Sequence, residues 1–308
     1  MKILVIKPSS LGDIIHALRV IAQLKVALPT IEIDWVIRSG FEEVLRCTNL
    51  INKVYKFERG GGFVSYLSLI KQIRSKRYDY TIDLQGLLRS SVLCLLSSSL
   101  RKIGVADGRE GSTIFYRKIG ESSRLKEIHA IDRLIPFLKE FGVSCTDPSF
   151  PLLFPNSKLL DNTERILTGK SYILLFPESR RQEKVWPHFL KLSNLLTKNS
   201  RLSIVVAGNN RNELYPGTID LRGRIHLAEL PALIDRASVI VSNDSAPLHI
   251  ASSLKKPLVT LFGPTSAKRY GPYPQNSEQN IILTAQEKKL ETITVEQVAF
   301  AIEKSLGG

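Results

Sequence analysis

Two strand-to-helix junctions concentrate the residues able to do chemistry. In the first, an apolar run at residues 2–6 leads into Lys7-Pro8-Ser9-Ser10-Leu11-Gly12-Asp13, and a helical pattern begins there. Gly12 permits close backbone approach, and Asp13 stands in the first helical turn. Such a carboxylate either complements the helix dipole or, beside a hydroxyl nucleophile, serves as a general base. His16 is three residues further on. In the second junction, Ala237-Ser238-Val239-Ile240-Val241 runs into Ser242-Asn243-Asp244-Ser245-Ala246-Pro247-Leu248-His249. A helix N-terminus offers unpaired N–H groups and partial positive charge, and Pro247 suits its first turn. Asp244 or Ser245 is then a helix cap, or the turn holds a phosphate.

A third polar segment, Lys184-Val185-Trp186-Pro187, follows the strand-like run 171–176, with Pro187 expected in the first turn of a helix reaching Leu195. Lys184 is either a solvated loop residue or, because open α/β sheets bind ligands beyond the carboxyl ends of their strands, a phosphate ligand. Other chemistries lack their signatures. Gly169-Lys170-Ser171 has Glu164 where a P-loop needs glycine, and it precedes a strand. No Gly-x-Gly-x-x-Gly, Gly-x-Ser-x-Gly, Asp-x-Asp, His-x-x-x-His or Cys-x-x-Cys occurs. The expectation is chemistry with no metal and no cofactor.

The elements that must position these residues alternate between short aliphatic runs and helical patterns, the mark of parallel sheets built from βαβ units. Strands are predicted at 2–6, 32–37, 80–84 and 102–105, then at 171–176, 202–206, 239–241, 258–262 and 281–283. Helices are predicted at 12–28, stopped by Pro29, and at 129–141. Gly60-Gly61-Gly62 reads as a flexible loop. The proline-rich segment 146–155 reads as a linker, giving domains at 1–150 and 151–308, with a closing helix at 294–306 that packs on either one.

At 308 residues, two cores are the expectation. The net charge of +14 points to an anionic partner. That charge is spread out: residues 1–155 carry 23 Lys+Arg against 15 Asp+Glu, and the remainder 20 against 14. The densest basic segment, Lys71 to Arg77, reads as the exposed end of a helix. Cys47, Cys94 and Cys145 lack disulfide or metal spacing and read as reduced thiols. The longest apolar run, 90–100, falls short of the ~20 residues of a membrane span, so any membrane contact is expected to be peripheral.

Taken in order, the motifs resemble glycosyltransferase family 9, the ADP-heptose:lipopolysaccharide heptosyltransferases. They are Ser9-Ser10-Leu11-Gly12-Asp13, Tyr78-Asp79-Tyr80-Thr81-Ile82-Asp83-Leu84-Gln85-Gly86-Leu87, His129-Ala130-Ile131-Asp132-Arg133, Lys184-Val185-Trp186-Pro187, and Asn243 to His249 followed by Lys256 to Thr265. Two departures are Ala246, where the family usually has glycine, and Glu178-Ser179, where small hydroxyl residues are common.

The resemblance implies a GT-B architecture: two Rossmann-like parallel-sheet domains facing a cleft, acceptor in the N-terminal one and ADP-sugar in the C-terminal one. It implies an inverting, metal-independent transfer with Asp13 as catalytic base. Lys184, Asp244, Ser245 and Ala246 would hold the diphosphate, with Ser179 alongside. His249 would line the same face or contact the sugar, and Glu213 would take the ribose hydroxyls. Ser9, Ser10, Gly12, Arg59, Arg89 and Arg124 would bind an acceptor of the Kdo-lipid A type, since arginine holds carboxylates bidentately. A cytoplasmic enzyme, peripheral on the anionic inner membrane, is implied, with no nucleic-acid partner. The Asp-x-Gln-Gly-Leu element and the modest length favour heptosyltransferase I. The rivals are heptosyltransferase II, another nucleotide-sugar GT-B enzyme including a sugar-nucleotide epimerase, and a basic nucleic-acid-binding protein, which would show an aromatic-flanked basic stripe.

Overall fold

The computed structural model describes residues 1–120, 127–211 and 213–307. Packing divides the chain into two units, Met1–Asn156 and Ser157–Gly308. Among the described residues each unit holds one six-stranded sheet.

The first unit contains β1 (Lys2–Ile6), β2 (Glu32–Arg38), β3 (Lys53–Phe57), β4 (Tyr78–Asp83), β5 (Ser99–Val105) and β6 (Arg117–Ile119) in the order β3-β2-β1-β4-β5-β6. Every pairing is parallel. Its helices are α1 (Leu11–Ala27), α2 (Glu42–Arg46), α3 (Gly62–Arg74), α4 (Leu88–Leu96) and α5 (Ile135–Glu140). Aliphatic residues run continuously through β1 and β2 because both faces of a parallel sheet are covered, and Leu4, Ile6 and Val36 are fully buried with Leu69 and Ile73 of α3.

The second unit repeats the plan with β7 (Tyr172–Phe176), β8 (Ser203–Val206), β9 (Ile219–Asp220), β10 (Val239–Asn243), β11 (Leu258–Phe262) and β12 (Asn280–Thr284) in the order β12-β11-β10-β7-β8-β9. Its pairings are again parallel. The helices are α6 (Asp161–Leu167), α7 (Phe189–Asn199), α8 (Leu230–Arg236), α9 (Ala246–Ser253), α10 (Ala267–Tyr270) and α11 (Val295–Ser305).

Counted within each unit, both orders are 3-2-1-4-5-6, the doubly wound arrangement. In such a sheet the crevice lies where strand order reverses, here between β1 and β4 and between β7 and β10.

Several expectations need correction. The helix expected at 129–141 is a 3₁₀ turn, Asp132–Leu134, followed by α5, because Pro136 has no N–H to continue a turn begun before it and so sits at the helix start. Pro187 is not in a first turn either. It lies in a turn before His188, the N-cap of α7, where the N–H of Trp186 is bound to the Asn243 side chain instead of entering the helix. Gly60–Gly62 is not an open loop but the entry to α3, whose N-cap is Gly61.

The proline-rich segment 146–155 is tied into the first unit. Arg19 of α1 donates to the carbonyls of Phe150 and Ser149 at 2.7 and 2.5 Å, and Thr146 Oγ1 donates to Gln23 at 3.0 Å. The closing helix, α11, packs on α7 and on β10–β12 of the second unit.

Candidate functional site

In the first unit the reactive groups gather at the carboxyl ends of β1 and β4. These strands are paired with Ile6 opposite Asp83, so the chain leaving β1 lies beside the chain leaving β4. Ser10 is the N-cap of α1, and Asp13 closes a capping box onto it. Both the N–H and Oγ of Ser10 donate to Asp13 Oδ2, at 3.0 and 2.9 Å. Lys7 Nζ approaches the same oxygen at 3.9 Å. The N–H of Ser9 donates to Gln85 Oε1 at 3.2 Å, stitching the Ser9–Asp13 motif to the Asp83–Leu87 motif.

Asp83 is completely buried and organises the second strand end. Its Oδ1 accepts the N–H groups of Gln85 and Gly86 at 2.9 and 3.0 Å, and its Oδ2 accepts Ser90 Oγ at 2.9 Å. Burial pushes its carboxyl up to about 6, against the pull of these donors and of Lys7. Gly86 makes the turn possible: its φ is +67° and a Cβ would lie 2.6 Å from Val105 Cγ2.

Burial draws the Lys7 ammonium below its ordinary range while Asp13 raises it; Arg133 lowers it, and Asp83 and Asp107 raise it. Arg133 is paired with Asp107 at 3.4 Å. The His129 ring stands edge-on to that of His16 at 5.6 Å, and both are buried. Three separated motifs thus converge on one charged cluster around the buried Lys7 and Asp83. Arg59 and Arg89 are exposed, in the β3–α3 connection and the first turn of α4, and Gly12 is half-buried in α1. Arg124 lies outside the described residues.

In the second unit the ends of β7 and β10 play the corresponding part. Asn243, fully buried, accepts the N–H of Trp186 at 3.0 Å and donates to the carbonyl of Phe176 at 3.4 Å. The Trp186 ring is buried and donates its Nε1–H to Ile293 at 2.9 Å. These anchors fix Lys184, whose ammonium reaches Asp244 Oδ2 at 2.5 Å. Thr265 Oγ1 donates to the same oxygen at 2.6 Å.

Ser245 is the N-cap of α9 in extended conformation, but its side chain makes no cap hydrogen bond; its Oγ lies 3.2 Å from Ser242 Oγ. The N-terminus of α9, left without a side-chain cap bond, follows directly on the Asp244 that pairs with Lys184, a setting for a diphosphate. Ala246 opens the helix, with Pro247 in the first turn and His249 buried one turn along.

The nearby β8–β9 connection is shaped by Glu178. Its two oxygens accept the N–H groups of Asn209 and Asn210 at 2.9 and 2.6 Å. Glu213, exposed, accepts Tyr215 Oη at 3.0 Å, and Arg222 donates to its carbonyl. Ser179, half-buried, follows Glu178 directly. Sequence reasoning passed over Lys7, Asp83, Asn243 and Thr265 as site residues. A polar residue directly after an aliphatic strand run is the signal that would have found Lys7. No group of three or more metal-ligating side chains occurs among the described residues, and none of the described helices is long and apolar enough to cross a membrane.

The family model of glycosyltransferase family 9 (heptosyltransferase) matches residues 66–299. The chain belongs to that family. Family 9 membership makes it a glycosyltransferase, and the two doubly wound units are those of the GT-B fold. The lipopolysaccharide core heptosyltransferase OpsX of Haemophilus influenzae is 24% identical over 92% of this chain and 84% of its own length. A family 9 glycosyltransferase from Veillonella parvula superposes with a TM-score of 0.84 at 22% identity, covering 99% of this chain and 97% of that one. The Escherichia coli heptosyltransferase WaaC, solved with ADP-2-deoxy-2-fluoro heptose, gives 0.79 at 25% identity over 99% of both chains.

Proposed function

We propose that this family 9 enzyme transfers heptose from ADP-heptose to a Kdo-bearing lipid A core, as heptosyltransferase I does, by a single inverting displacement without a metal. The observation that carries the donor half is the Lys184–Asp244–Thr265 arrangement beside the N-terminus of α9, at the point where strand order reverses. Support for the sugar and the acceptor comes from the names of its relatives: a core heptosyltransferase, and a heptosyltransferase solved with an ADP-heptose analogue.

In this reading the acceptor hydroxyl attacks the anomeric carbon and its proton passes to Asp13. The bond from that carbon to the β-phosphate oxygen breaks, and ADP leaves with the electron pair. Ser10 holds Asp13 through two hydrogen bonds to Oδ2, and the Lys7 ammonium beside it favours the ionised form that a base requires. Charge on the leaving diphosphate is met by Lys184 and the α9 amides, fixed before the reaction begins. Ser179 and Ala246 flank the phosphates, His249 the sugar, and Glu213 the ribose. Ser9, Ser10, Gly12, Arg59, Arg89 and Arg124 are assigned to the acceptor, and the enzyme works at the cytoplasmic face of the inner membrane.

The test is ADP release from ADP-heptose by the purified protein, with and without Kdo-lipid A, in buffer containing a chelator. Release that needs the acceptor and survives chelation supports the reading. ADP release equally fast without acceptor points to hydrolysis, and binding of a different nucleotide sugar with no release moves the enzyme to another donor.

A further inference from the structure

Helix α3 is apolar on both sides, and only one side is packed. Leu69, Ile70 and Ile73 enter the core of the first unit against β1 and β2. On the other side Phe63, Val64 and Leu67 are 73%, 79% and 46% exposed. They stand at i, i+1 and i+4, so they form one patch on the first two turns. The same stripe continues into Lys71, with Arg74 in the last turn.

Helix α4 lies alongside, joined by a hydrogen bond from Tyr66 Oη to the Arg89 carbonyl and another from Arg74 to the Leu96 carbonyl. It adds the exposed Leu88 and Leu95. From Arg59 to Arg77 the sequence carries Arg59, Lys71, Arg74, Lys76 and Arg77 and no Asp or Glu, and α4 carries no acid either. Surface leucine and phenylalanine are unremarkable when scattered; gathered on one helix in line with Lys71 and Arg74, they match an anionic interface, the acids Glu58 and Glu110 standing only at the N-terminal ends of the two helices.

We infer that α3, with α4 beside it, is the surface by which this protein sits on an anionic lipid bilayer. Phe63, Val64 and Leu67 enter the acyl boundary, and Lys71 and Arg74 meet the headgroups. This rests on the lipid-borne acceptor proposed above and deepens it, because the same unit carries the Ser9–Asp13 motif. Protein partners fit less well, since a protein face complementary to this one would have to be apolar and acidic, whereas a second copy of the chain would bring like charge to like charge.

The test uses vesicles of phosphatidylcholine alone and of phosphatidylcholine mixed with phosphatidylglycerol. Native Trp35 and Trp186 are 0% and 1% exposed and report nothing of the surface. In the Phe63→Trp variant the introduced indole is expected to shift its emission to the blue with the anionic vesicles only, and to lose the shift in high salt. The Phe63→Ser/Leu67→Ser double variant should partition about tenfold or more weakly, and Lys71→Gln about fivefold more weakly. Neither should alter turnover on a delipidated core sugar, while turnover on vesicle-borne acceptor should fall with partitioning.

An unchanged Phe63→Trp emission, or unchanged partitioning of the double variant, overturns the inference. So does analytical ultracentrifugation in which the wild type is a dimer and the double variant a monomer, since the face is then an interface between copies. Vesicle binding is read without any sugar substrate, so failure of the donor assignment and failure of this surface are separate results.

Discussion

The two units share one sheet plan and carry different residues at its switch point. In the first, the ends of β1 and β4 carry ionisable groups in different surroundings: Asp13 accepts two hydrogen bonds from Ser10, burial draws the Lys7 ammonium down, and the buried Asp83 carboxyl is pushed up to about 6. In the second, the crevice between β7 and β10 is lined by fixed charge: the Lys184–Asp244 pair, the α9 amides, and a loop whose backbone N–H groups are held by Glu178. In the proposed reaction Asp13 takes up a proton, and Ser10 and Lys7 hold its carboxylate in place. A leaving-group site needs charges and dipoles that do not reorganise, and the Lys184–Asp244 pair, held by Thr265 and by the Trp186–Asn243 anchor, would supply those. In the proposed reaction one topology would serve both roles through the residues just past its strand ends.

The largest effect that would sharpen this contrast is expected at Asp13. Asp13→Ala should lower kcat by about a thousandfold while leaving the KM for ADP-heptose close to wild type, as read by steady-state kinetics. Removal of the ammonium in Lys184→Ala should act on the other side of the contrast, raising the KM for donor by about thirtyfold as well as lowering kcat, because the diphosphate loses its clamp and Asp244 loses its partner.

A third expectation concerns stability. The native Asp83 carboxyl titrates near 6 and an unfolded one near 3.8, so between those values the native state binds more protons. Its contribution therefore falls as pH rises through that window, by about 2 to 3 kcal/mol in all. Asp83→Asn should flatten this part of the pH dependence in urea denaturation at pH 4, 5, 6 and 7; an unchanged slope would break the contrast on the first unit's side. The smallest effect is expected at Gly208→Ala. With φ at +153° and a Cβ placed 2.7 Å from Glu178 Oε1, the carboxylate must let go of the Asn209–Asn210 backbone. The expected cost is about 1 kcal/mol of stability with a severalfold loss of ADP affinity.

Much of this was legible in the chain. Continuous aliphatic runs gave away the interior strands, such as β1 and β11, whose bounds matched the expectation. Of the edge strands only β12, with its aliphatic run, was legible. In β3 lysines interrupt the pattern at Lys53 and Lys56, and β6 and β9 span three and two residues, too short to carry a period. At the site, spacing marked Asp13, Lys184 and Asp244, because each follows a strand directly or by one short loop.

What spacing could not show is which side chains across the sheet meet. The pairing of Lys184 with Asp244, sixty residues apart, and the convergence of Lys7, Asp83 and Arg133 are products of strand order. Nor does a run of residues reveal which face of α3 is covered. Its apolar positions look alike in sequence, yet Ile73 is fully buried and Val64 is not.

The division of labour between the two crevices is tested most directly by calorimetric titration of ADP into wild type, Asp13→Ala and Lys184→Ala side by side. The account predicts wild-type affinity for Asp13→Ala and affinity weakened by about tenfold or more for Lys184→Ala. Weakened binding by Asp13→Ala together with undiminished binding by Lys184→Ala would contradict it.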